Sequence, residues 1–238
     1  MNILLTGGNG ILGKEILKRN SKCIAPTRDE LDITNREAVF NFMKINKFDT
    51  VIHTAALTSI RECEINKQNA WKTNIVGTQN IVDALSIYNP DADLIYLSTA
   101  CVFKGDEKMY SEISLPNPAN FYSLTKLIGE TIVKSLSNHL IIRTNFVGKK
   151  KWPYEKAFTD RFGTYLFADQ VANGIHDVVK EKTTGTIHIV GDKKISVFEL
   201  AKMTTPKIEP MTIKDYSGPP LTMDMSLNSV KWKKYKID

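Results

Sequence analysis

Tyr122 and Lys126 lie four residues apart in a segment, residues 121–130, that is typical of the start of a helix. At this spacing the two side chains share one helix face. A tyrosine with an ordinary pKa of about 10 is a poor acid–base catalyst at neutral pH, but a nearby ammonium group favours its ionised form. The pair therefore predicts a proton donor whose pKa is lowered by the lysine. Taken alone the spacing is weak evidence, because amphipathic helices carry such pairs by chance.

Three glycines, Gly7, Gly10 and Gly13, separate an apolar run at residues 3–5 from an amphipathic segment at residues 11–20. In a strand–turn–helix unit, glycines allow the tight turn, the approach of a pyrophosphate and close packing of helix on strand. A plain glycine turn is the alternative, but the position after the first strand favours dinucleotide binding. We expect the phosphates to meet free amides at the helix N-terminus. The amides expected to face them belong to Asn9, Gly10, Ile11 and Leu12.

The end of the predicted second strand bears on the choice of nicotinamide cofactor. An acidic residue at this place holds the ribose hydroxyls of NAD, whereas an arginine suits the 2′-phosphate of NADP. Arg28 follows the apolar run at residues 23–25, and Asp29 and Glu30 come directly after it. We expect NADP, with Arg28 as the main determinant, and NAD stays as the alternative.

Two hydroxyl side chains, Ser98 and Thr99, follow a predicted strand at residues 94–97. At the carboxyl end of a parallel strand, a hydroxyl can point into the ligand crevice and hydrogen-bond the same substrate oxygen as Tyr122. The glycine loop, the Ser-Thr pair and the Tyr-x-x-x-Lys pair are thus all predicted at one edge of the sheet. This ordered set is far more specific than any of its parts.

Short apolar runs alternate with longer amphipathic segments over the first 148 residues. The predicted strands lie at residues 3–5, 23–25, 51–53, 94–97 and 140–142, and the predicted helices at residues 11–20, 35–46, 67–88 and 121–137. Thr34 and Glu37 have the spacing of a capping box at the second helix. This rhythm predicts an α/β fold, a Rossmann-type doubly wound parallel sheet covered on both faces.

After residue 148 the regular alternation of apolar runs and amphipathic segments ends. A helix at residues 169–180, a strand at 186–190 and a helix at 197–203 precede a proline-containing, mostly irregular tail. We expect residues 1–148 to form the NAD(P)-binding domain. Residues 149–238 are expected to form a small C-terminal substrate-binding cap, intertwined with the first domain at the carboxyl edge of the sheet.

Composition places the chain among ordinary globular proteins, with 238 residues, 42% hydrophobic, 24% charged and a formal net charge of +6. Three cysteines without a C-x-x-C pair and four scattered histidines predict neither a disulfide framework nor a metal site. No apolar run reaches the roughly 20 residues of a membrane helix, and residues 1–6 lack the features of a signal peptide. We therefore expect a cytoplasmic protein without a membrane partner.

Basic residues interleave with aromatic ones at residues 149–152 and 231–236, a pattern also found in proteins that bind single-stranded nucleic acid. A solvated face, or attraction of a diphosphate-bearing ligand, explains such clusters better. We expect no nucleic-acid partner.

Together these motifs resemble the extended short-chain dehydrogenase/reductase family, and within it the dTDP-4-dehydrorhamnose reductases. The resemblance covers nearly the whole chain and includes residues 31–34, 53–56, 74–80, 143–148, 185–200 and 219–231. It implies that Thr99, Tyr122 and Lys126 are the catalytic triad, that Asn74 supports the proton relay and that Asn145 contacts substrate. The cofactor-binding residues that it implies are Gly7, Asn9, Gly10, Ile11, Leu12, Gly13, Arg28, Asp32, Ile33, Ala55, Ala56, Leu57, Asn74, Tyr122 and Lys126.

The resemblance implies NAD(P)H-dependent reduction of a 4-keto group on a nucleotide-linked deoxysugar. Two departures concern the substrate side: Ala100 and Cys101 stand where these reductases usually have Asp and Tyr, and the segment between residues 148 and 167 is short. Either the pocket is more open or a partner subunit, as in a homodimer, closes it. Two alternatives stay open: an NAD-dependent nucleotide-sugar epimerase or dehydratase, and a non-catalytic subunit like the regulatory subunit of methionine adenosyltransferase.

Overall fold

The computed structural model describes residues 1–238. Its strands are β1 (Ile3–Thr6), β2 (Thr50–His53), β3 (Asp93–Leu97), β4 (His139–Arg143), β5 (Phe146–Val147), β6 (Lys156–Phe158), β7 (Phe162–Gly163), β8 (Leu166–Phe167), β9 (Gly185–His188), β10 (Ile195–Ser196), β11 (Glu209–Met211) and β12 (Asp224–Met225). Its α-helices are α1 (Ile11–Arg19), α2 (Arg36–Ile45), α3 (Ile60–Ile65), α4 (Lys67–Trp71), α5 (Gly77–Tyr88), α6 (Phe121–Val133), α7 (Ala168–Glu181) and α8 (Val197–Lys202). A π-helical turn spans Lys72–Val76, and short 3-10 helices span Ala100–Val102 and Ile213–Asp215.

The central sheet has five parallel strands in the order β1-β2-β3-β4-β9. Successive residues of β1 pack on opposite sides, because side chains alternate along a strand. Ile3 and Leu5 belong to one apolar cluster and Leu4 to the other. The strands are buried on both faces, which explains why their sequences are continuous apolar runs.

Helices cover both faces of this sheet. Helices α1 and α7 pack together on one face, while α5 lies between α2 and α6 on the other. Each face has its own apolar cluster. The predicted Rossmann-type doubly wound α/β class is thus confirmed, and all of the binding motifs that follow β1, β2, β3 and β4 meet at the carboxyl edge of the sheet.

The predicted second strand is reduced to one bridge. Ile24 pairs with Leu4, with backbone hydrogen bonds from Leu5 N to Ile24 O and from Ile24 N to Ile3 O, both 2.8 Å long. Pro26 follows two residues later and has no N–H with which to continue the ladder. The expectation of a full strand at residues 23–25 was therefore wrong.

Two helix predictions also need correction. Helix α2 is capped by Asn35, whose side chain accepts from the amide of Ala38 at 3.1 Å, rather than by a box of Thr34 and Glu37. The predicted helix at residues 67–88 is interrupted by the π-helical turn Lys72–Val76. Such turns insert an extra residue into a helix and often occur at functional sites.

The remaining strands form three small sheets: β10-β7-β12, β11-β6 and β5-β8. They adjoin the carboxyl end of β4, since the amide of Leu166 donates to the carbonyl of Asn145 at 3.1 Å. However, α7 and β9, which also follow residue 148, belong to the layers of the central sheet. The division into domains at this residue stays a prediction. None of the helices combines the length and apolar character needed to cross a membrane.

Candidate active site and cofactor groove

A groove of about 290 Å³ lies at the glycine loop, between the ends of β1 and β2 and the segment that follows Ile24. Eight of the predicted cofactor residues line it: Gly7, Asn9, Gly10, Arg28, Asp32, Ile33, Ala55 and Ala56. The structure thus brings together residues that are up to 49 positions apart in sequence. A larger cavity of about 760 Å³ lies at the opposite, amino edge of the sheet, where Thr50 and Asp93 begin β2 and β3, away from these motifs.

The shape of the loop depends on two glycines. Gly7 has φ of +78°, and a Cβ atom there would lie 2.7 Å from the amide nitrogen of Ala55. A Cβ atom on Gly13 would lie 2.3 Å from the carbonyl oxygen of Gly7. Both positions exclude any other residue without movement of the backbone, so the loop approaches β2 and helix α1 as closely as a dinucleotide fold requires.

The amides of the loop fall into two groups. The Gly10 amide donates to the carbonyl of Gly7 at 3.0 Å, so the expectation that it faces a phosphate was wrong: it closes the turn instead. The amides of Asn9, Ile11 and Leu12 have no partner within the chain. These three donors at the N-terminus of α1 fit the pyrophosphate of a nicotinamide dinucleotide.

Arg28 lies at the far end of the groove, with its side chain 73% exposed and its Nε atom 3.9 Å from the carboxylate of Asp32. The neighbouring Glu30 is engaged by the amide of Thr27 at 2.7 Å and does not compete for Arg28. Arg28 is thus an exposed cation at the position where a 2′-phosphate would be recognised. Ile33 is 7% exposed and packs at Gly77, where a Cβ atom would come within 2.7 Å of its side chain.

Thr99 and Tyr122 lie on elements that pack together, since α6 contacts the 3-10 helix Ala100–Val102, which Thr99 caps. Thr99 follows the carboxyl end of β3, and its hydroxyl oxygen accepts from the amide of Cys101 at 3.1 Å. Tyr122 lies in the first turn of α6, which Asn120 caps by accepting from the amide of Ser123 at 3.0 Å. Burial raises the pKa of Tyr122 above its usual range, and a hydrogen bond with the Thr99 side chain opposes this rise. The pairing of these two hydroxyls on one substrate oxygen stays a prediction.

Lys126 is 4% exposed, and its Nζ atom lies 4.0 Å from the centre of the Tyr96 ring. Burial lowers the pKa of Lys126 to about 7, and the carboxylate of Glu130 opposes this shift. The expectation that Lys126 lowers the pKa of Tyr122 is not met in this structure, because burial dominates the titration of both groups. Lys126 itself is poised between charged and neutral forms near neutral pH.

Asn74 connects the loop that follows β2 to helix α6. Its Oδ1 atom accepts from the amide of Leu57 at 2.7 Å, and its Nδ2 atom donates to the Leu57 carbonyl at 3.0 Å and to Thr125 Oγ1 at 2.9 Å. Thr125 in turn donates to the carbonyl of Tyr122 at 2.7 Å. The π-helical turn therefore presents Asn74 as a brace between the loop that follows β2 and the first turn of α6.

Asn145 lies just after β4 and is 8% exposed. Its Nδ2 atom donates to the carbonyl of Met225 at 2.9 Å, which joins the sheet edge to the small sheets. The predicted contact of Asn145 with substrate stays a prediction.

Sequence reasoning missed a buried hydrogen-bond chain around His53, which is 1% exposed. Thr78 donates to the carbonyl of Asn74 at 2.7 Å, so its oxygen accepts from His53 Nε2 at 3.1 Å, and His53 Nδ1 accepts from the Thr6 hydroxyl at 2.7 Å. Burial, with the charge of Lys126 adding to it, lowers the pKa of His53 to about 3. The position of His53 at the end of a predicted strand was the only available signal.

Sequence reasoning also missed Glu130 and Arg143, a fully buried ion pair with Arg143 Nη2 2.7 Å from Glu130 Oε2. The spacing of four residues between Lys126 and Glu130 was a usable signal, because it places both on one face of α6. No cluster of three or more His, Cys, Asp or Glu side chains is arranged to hold a metal ion.

Comparison with known proteins agrees with this geometry. Residues 1–158 match the family described as the RmlD substrate binding domain. A dTDP-4-dehydrorhamnose reductase from Aggregatibacter actinomycetemcomitans is 30% identical over 151 residues, 60% of this chain and 51% of that enzyme. This chain thus spans about half the length of that relative. Methionine adenosyltransferase 2 subunit beta from Bos taurus is 26% identical over 236 residues, 84% of this chain and 70% of that protein.

A crystal structure of a dTDP-4-dehydrorhamnose reductase from Clostridium acetobutylicum superposes with a TM-score of 0.86 at 29% identity, covering 96% of this chain and 90% of that one. The resemblance to the dTDP-4-dehydrorhamnose reductases is thereby confirmed. Since the family match covers more than half of its residues, the chain belongs to the RmlD substrate binding domain family.

Proposed function

We propose that this protein is an NAD(P)H-dependent reductase of a 4-keto group on a nucleotide-linked deoxysugar. The observation that carries this proposal is the placement of Thr99 and Tyr122 on two elements that pack together, the 3-10 helix Ala100–Val102 and α6, with Lys126 one helical turn after Tyr122. These three side chains lie at the carboxyl edge of the sheet, next to a groove whose loop fits a dinucleotide.

The groove fits the cofactor by its shape and its donors. The unpaired amides of Asn9, Ile11 and Leu12 would hold the pyrophosphate, and the exposed Arg28 would hold a 2′-phosphate, which favours NADP over NAD. Asp32 and Ala55 also line the groove. When bound, the reduced nicotinamide supplies hydride to the carbonyl carbon.

The chain's own residues handle the carbonyl oxygen. Thr99 donates a hydrogen bond that fixes this oxygen, and Tyr122 gives its phenolic proton to the oxygen as negative charge develops there. Because burial raises the pKa of Tyr122, the phenol is protonated at neutral pH and ready to act as an acid. In its charged form, Lys126, one helical turn further on, would favour the phenolate that forms when Tyr122 has donated its proton.

Two expectations complete this picture. Residues 149–238 contribute a substrate-binding cap, Asn145 contacts the substrate from the sheet edge just before this cap, and a nucleotide sugar is the partner that fits the site. A homodimer that closes the pocket is compatible with the short segment after residue 148 and stays a prediction.

The experiment compares the parent with Tyr122→Phe in NADPH oxidation with dTDP-, UDP- and GDP-linked 4-keto-6-deoxy sugars. Loss of one phenolic oxygen removes a general acid, whose contribution is roughly 10²- to 10⁴-fold, so turnover should fall by that order while NADPH affinity is kept. Thermal unfolding of both proteins is the control for folding. Parental turnover in Tyr122→Phe would contradict the assignment of the proton donor.

A second candidate is a non-catalytic role as a binding subunit of a methionine adenosyltransferase. The similarity to the Bos taurus subunit beta over 84% of this chain favours it. Failure of the parent to oxidise NADPH with any of these sugars, together with copurification of a synthetase, would favour this candidate over the reductase.

A further inference from the structure

Glu130 lies one helical turn after Lys126 on α6, so Tyr122, Lys126 and Glu130 follow one another at intervals of four residues. Residues at this spacing share one helix face. This face packs against the sheet, and Glu130 is 0% exposed and Lys126 4% exposed there. A carboxylate at such a place must be fully paired, since an uncompensated charge in the interior is very costly.

Glu130 has three donors from two neighbouring strands. Ser98 Oγ donates to Oε1 at 2.5 Å, and Arg143 donates from Nε to Oε1 at 2.9 Å and from Nη2 to Oε2 at 2.7 Å. Ser98 directly precedes Thr99, and Arg143 is the last residue of β4. One carboxylate thus joins α6 to the ends of β3 and β4, beside the residues that handle the carbonyl oxygen.

Stability alone does not account for this arrangement. Buried ion pairs contribute little net stability, because desolvation of both charges offsets their attraction, and apolar pairs of similar volume often serve as well. The pair is also incompletely satisfied, since Arg143 Nη1 is buried without a hydrogen-bond partner while the guanidinium carbon lies 5.1 Å from the centre of the Phe103 ring. A role in aligning Thr99 with α6 and in keeping Lys126 charged explains why a buried carboxylate stands at this position.

Four groups face Lys126 from the elements packed around it. His53 and Tyr96 approach from the sheet, and Tyr122 and Glu130 lie on α6 itself. His53 is neutral because burial lowers its pKa to about 3, and Tyr96 is neutral because burial raises its pKa well above the usual range. Glu130 forms an ion pair with Arg143, and its carboxylate opposes the effect of burial on the pKa of Lys126.

We propose that Glu130, with Ser98 and Arg143 as its partners, is a positioning residue that aligns Thr99 with α6 and keeps Lys126 charged beneath Tyr122. The effect on turnover rests on the proposed reductase function. The charge state of Lys126 is a property of the folded chain and can be tested without any substrate.

The test is a pH titration of Lys126 by NMR, in protein labelled with ¹³C at the ε position of lysine. The Lys126 signal is assigned by its loss in Lys126→Arg. In Glu130→Gln the titration midpoint of Lys126 should fall by about one pH unit or more relative to the parent, since removal of a nearby opposite charge shifts a pKa by about 1–3 units. Glu37→Gln, which removes an exposed acidic group from α2, should leave the midpoint unchanged.

If Glu130→Gln does not fold, because Arg143 is left unpaired, the double variant Glu130→Gln with Arg143→Met carries the same test. Its Lys126 midpoint should also lie below that of the parent. A midpoint equal to the parental one in either folded variant overturns the proposal.

Activity adds a second readout. The alkaline limb of kcat/KM should move to lower pH in Glu130→Gln by the same amount as the NMR midpoint, whereas a merely structural role would lower turnover at every pH without moving the limb. A lowered midpoint in a protein that reduces no nucleotide sugar refutes the reductase function and leaves the role of Glu130 intact. An unchanged Lys126 midpoint in a protein that does reduce a nucleotide sugar refutes the role of Glu130 and leaves the reductase function intact.

Discussion

The glycine-loop groove and the face of α6 that carries Tyr122, Lys126 and Glu130 lie at one edge of the sheet but are built in opposite ways. The groove combines glycines without side chains, unpaired backbone amides and an arginine that is 73% exposed. The α6 face is made of side chains, with Lys126 4% and Glu130 0% exposed. The groove therefore depends on residues that have no side chain, whereas the α6 face depends on burial and on ion pairs between different elements.

The largest effect is expected on the groove. Gly10 has φ of −69° and ψ of 170°, which any residue adopts, and a Cβ atom there meets only Gly7 O at 3.2 Å. Gly10→Val should therefore fold, yet its methyl groups would stand where the pyrophosphate must approach. We expect NADPH affinity, measured by calorimetry, to fall about 100-fold, which corresponds to roughly 3 kcal/mol.

Gly13→Ala is the matched comparison, because its new Cβ atom would lie 2.3 Å from Gly7 O. This variant should lose thermal stability in the absence of cofactor, whereas Gly10→Val should not. Parental NADPH affinity in a folded Gly10→Val would show that the glycine loop is not the cofactor site.

The next effect concerns the buried side chains near α6. Burial lowers the pKa of His53 to about 3 and that of His188 to about 4, below the ordinary histidine value of about 6.5. As pH falls below about 6.5 the unfolded chain takes up protons first, so the folded state loses stability down to the folded-state pKa values. We expect each histidine to lower the free energy of unfolding by roughly 2 kcal/mol between pH 7 and pH 4.5.

Urea denaturation at these two pH values measures the effect. The difference between them should shrink by roughly 2 kcal/mol in His53→Asn. His176→Asn, at a side chain that is 61% exposed, should leave the difference unchanged and serves as the control. A full parental difference in His53→Asn would mean that the imidazole is not held neutral by burial.

The smallest effect is expected at Arg28, whose exposed side chain is screened by solvent and lies 3.9 Å from Asp32. Arg28→Ala should weaken NADPH binding about tenfold, or roughly 1.4 kcal/mol, and leave NADH binding nearly unchanged, since only NADPH carries the 2′-phosphate. Parallel titrations of the two cofactors give the measurement. Equal losses for both cofactors would remove Arg28 from the selection of NADP.

Sequence predicted the elements of this protein well wherever a local pattern decides the structure. The apolar runs at β1, β2, β3 and β4 and the amphipathic segments at α1, α2 and α6 were found within a few residues of their bounds. The loop of Gly7, Gly10 and Gly13 could be predicted for the same reason, since its conformation depends on residues that are close to one another in the chain.

Patterns that compete with one another were harder to interpret. The run at residues 23–25 is apolar enough for a strand, but Pro26 limits it to a single bridge at Ile24. The segment at residues 67–88 has a helical pattern throughout, and nothing local shows that its third turn is π-helical. Asn74 acquires its bracing role only because that turn faces α6.

By itself the sequence determined which residues form β1 to β4, where the glycine turn lies and that Tyr122 and Lys126 share a helix face. Only the tertiary structure decided how the charged groups pair and how far burial shifts their pKa values. The carboxylate of Glu130 meets Arg143, 13 residues away on another element, and Ser98, 32 residues away. Burial then sets the pKa of Lys126 to about 7 and raises that of Tyr122, because the solvation lost by a group depends on all the elements that close around it.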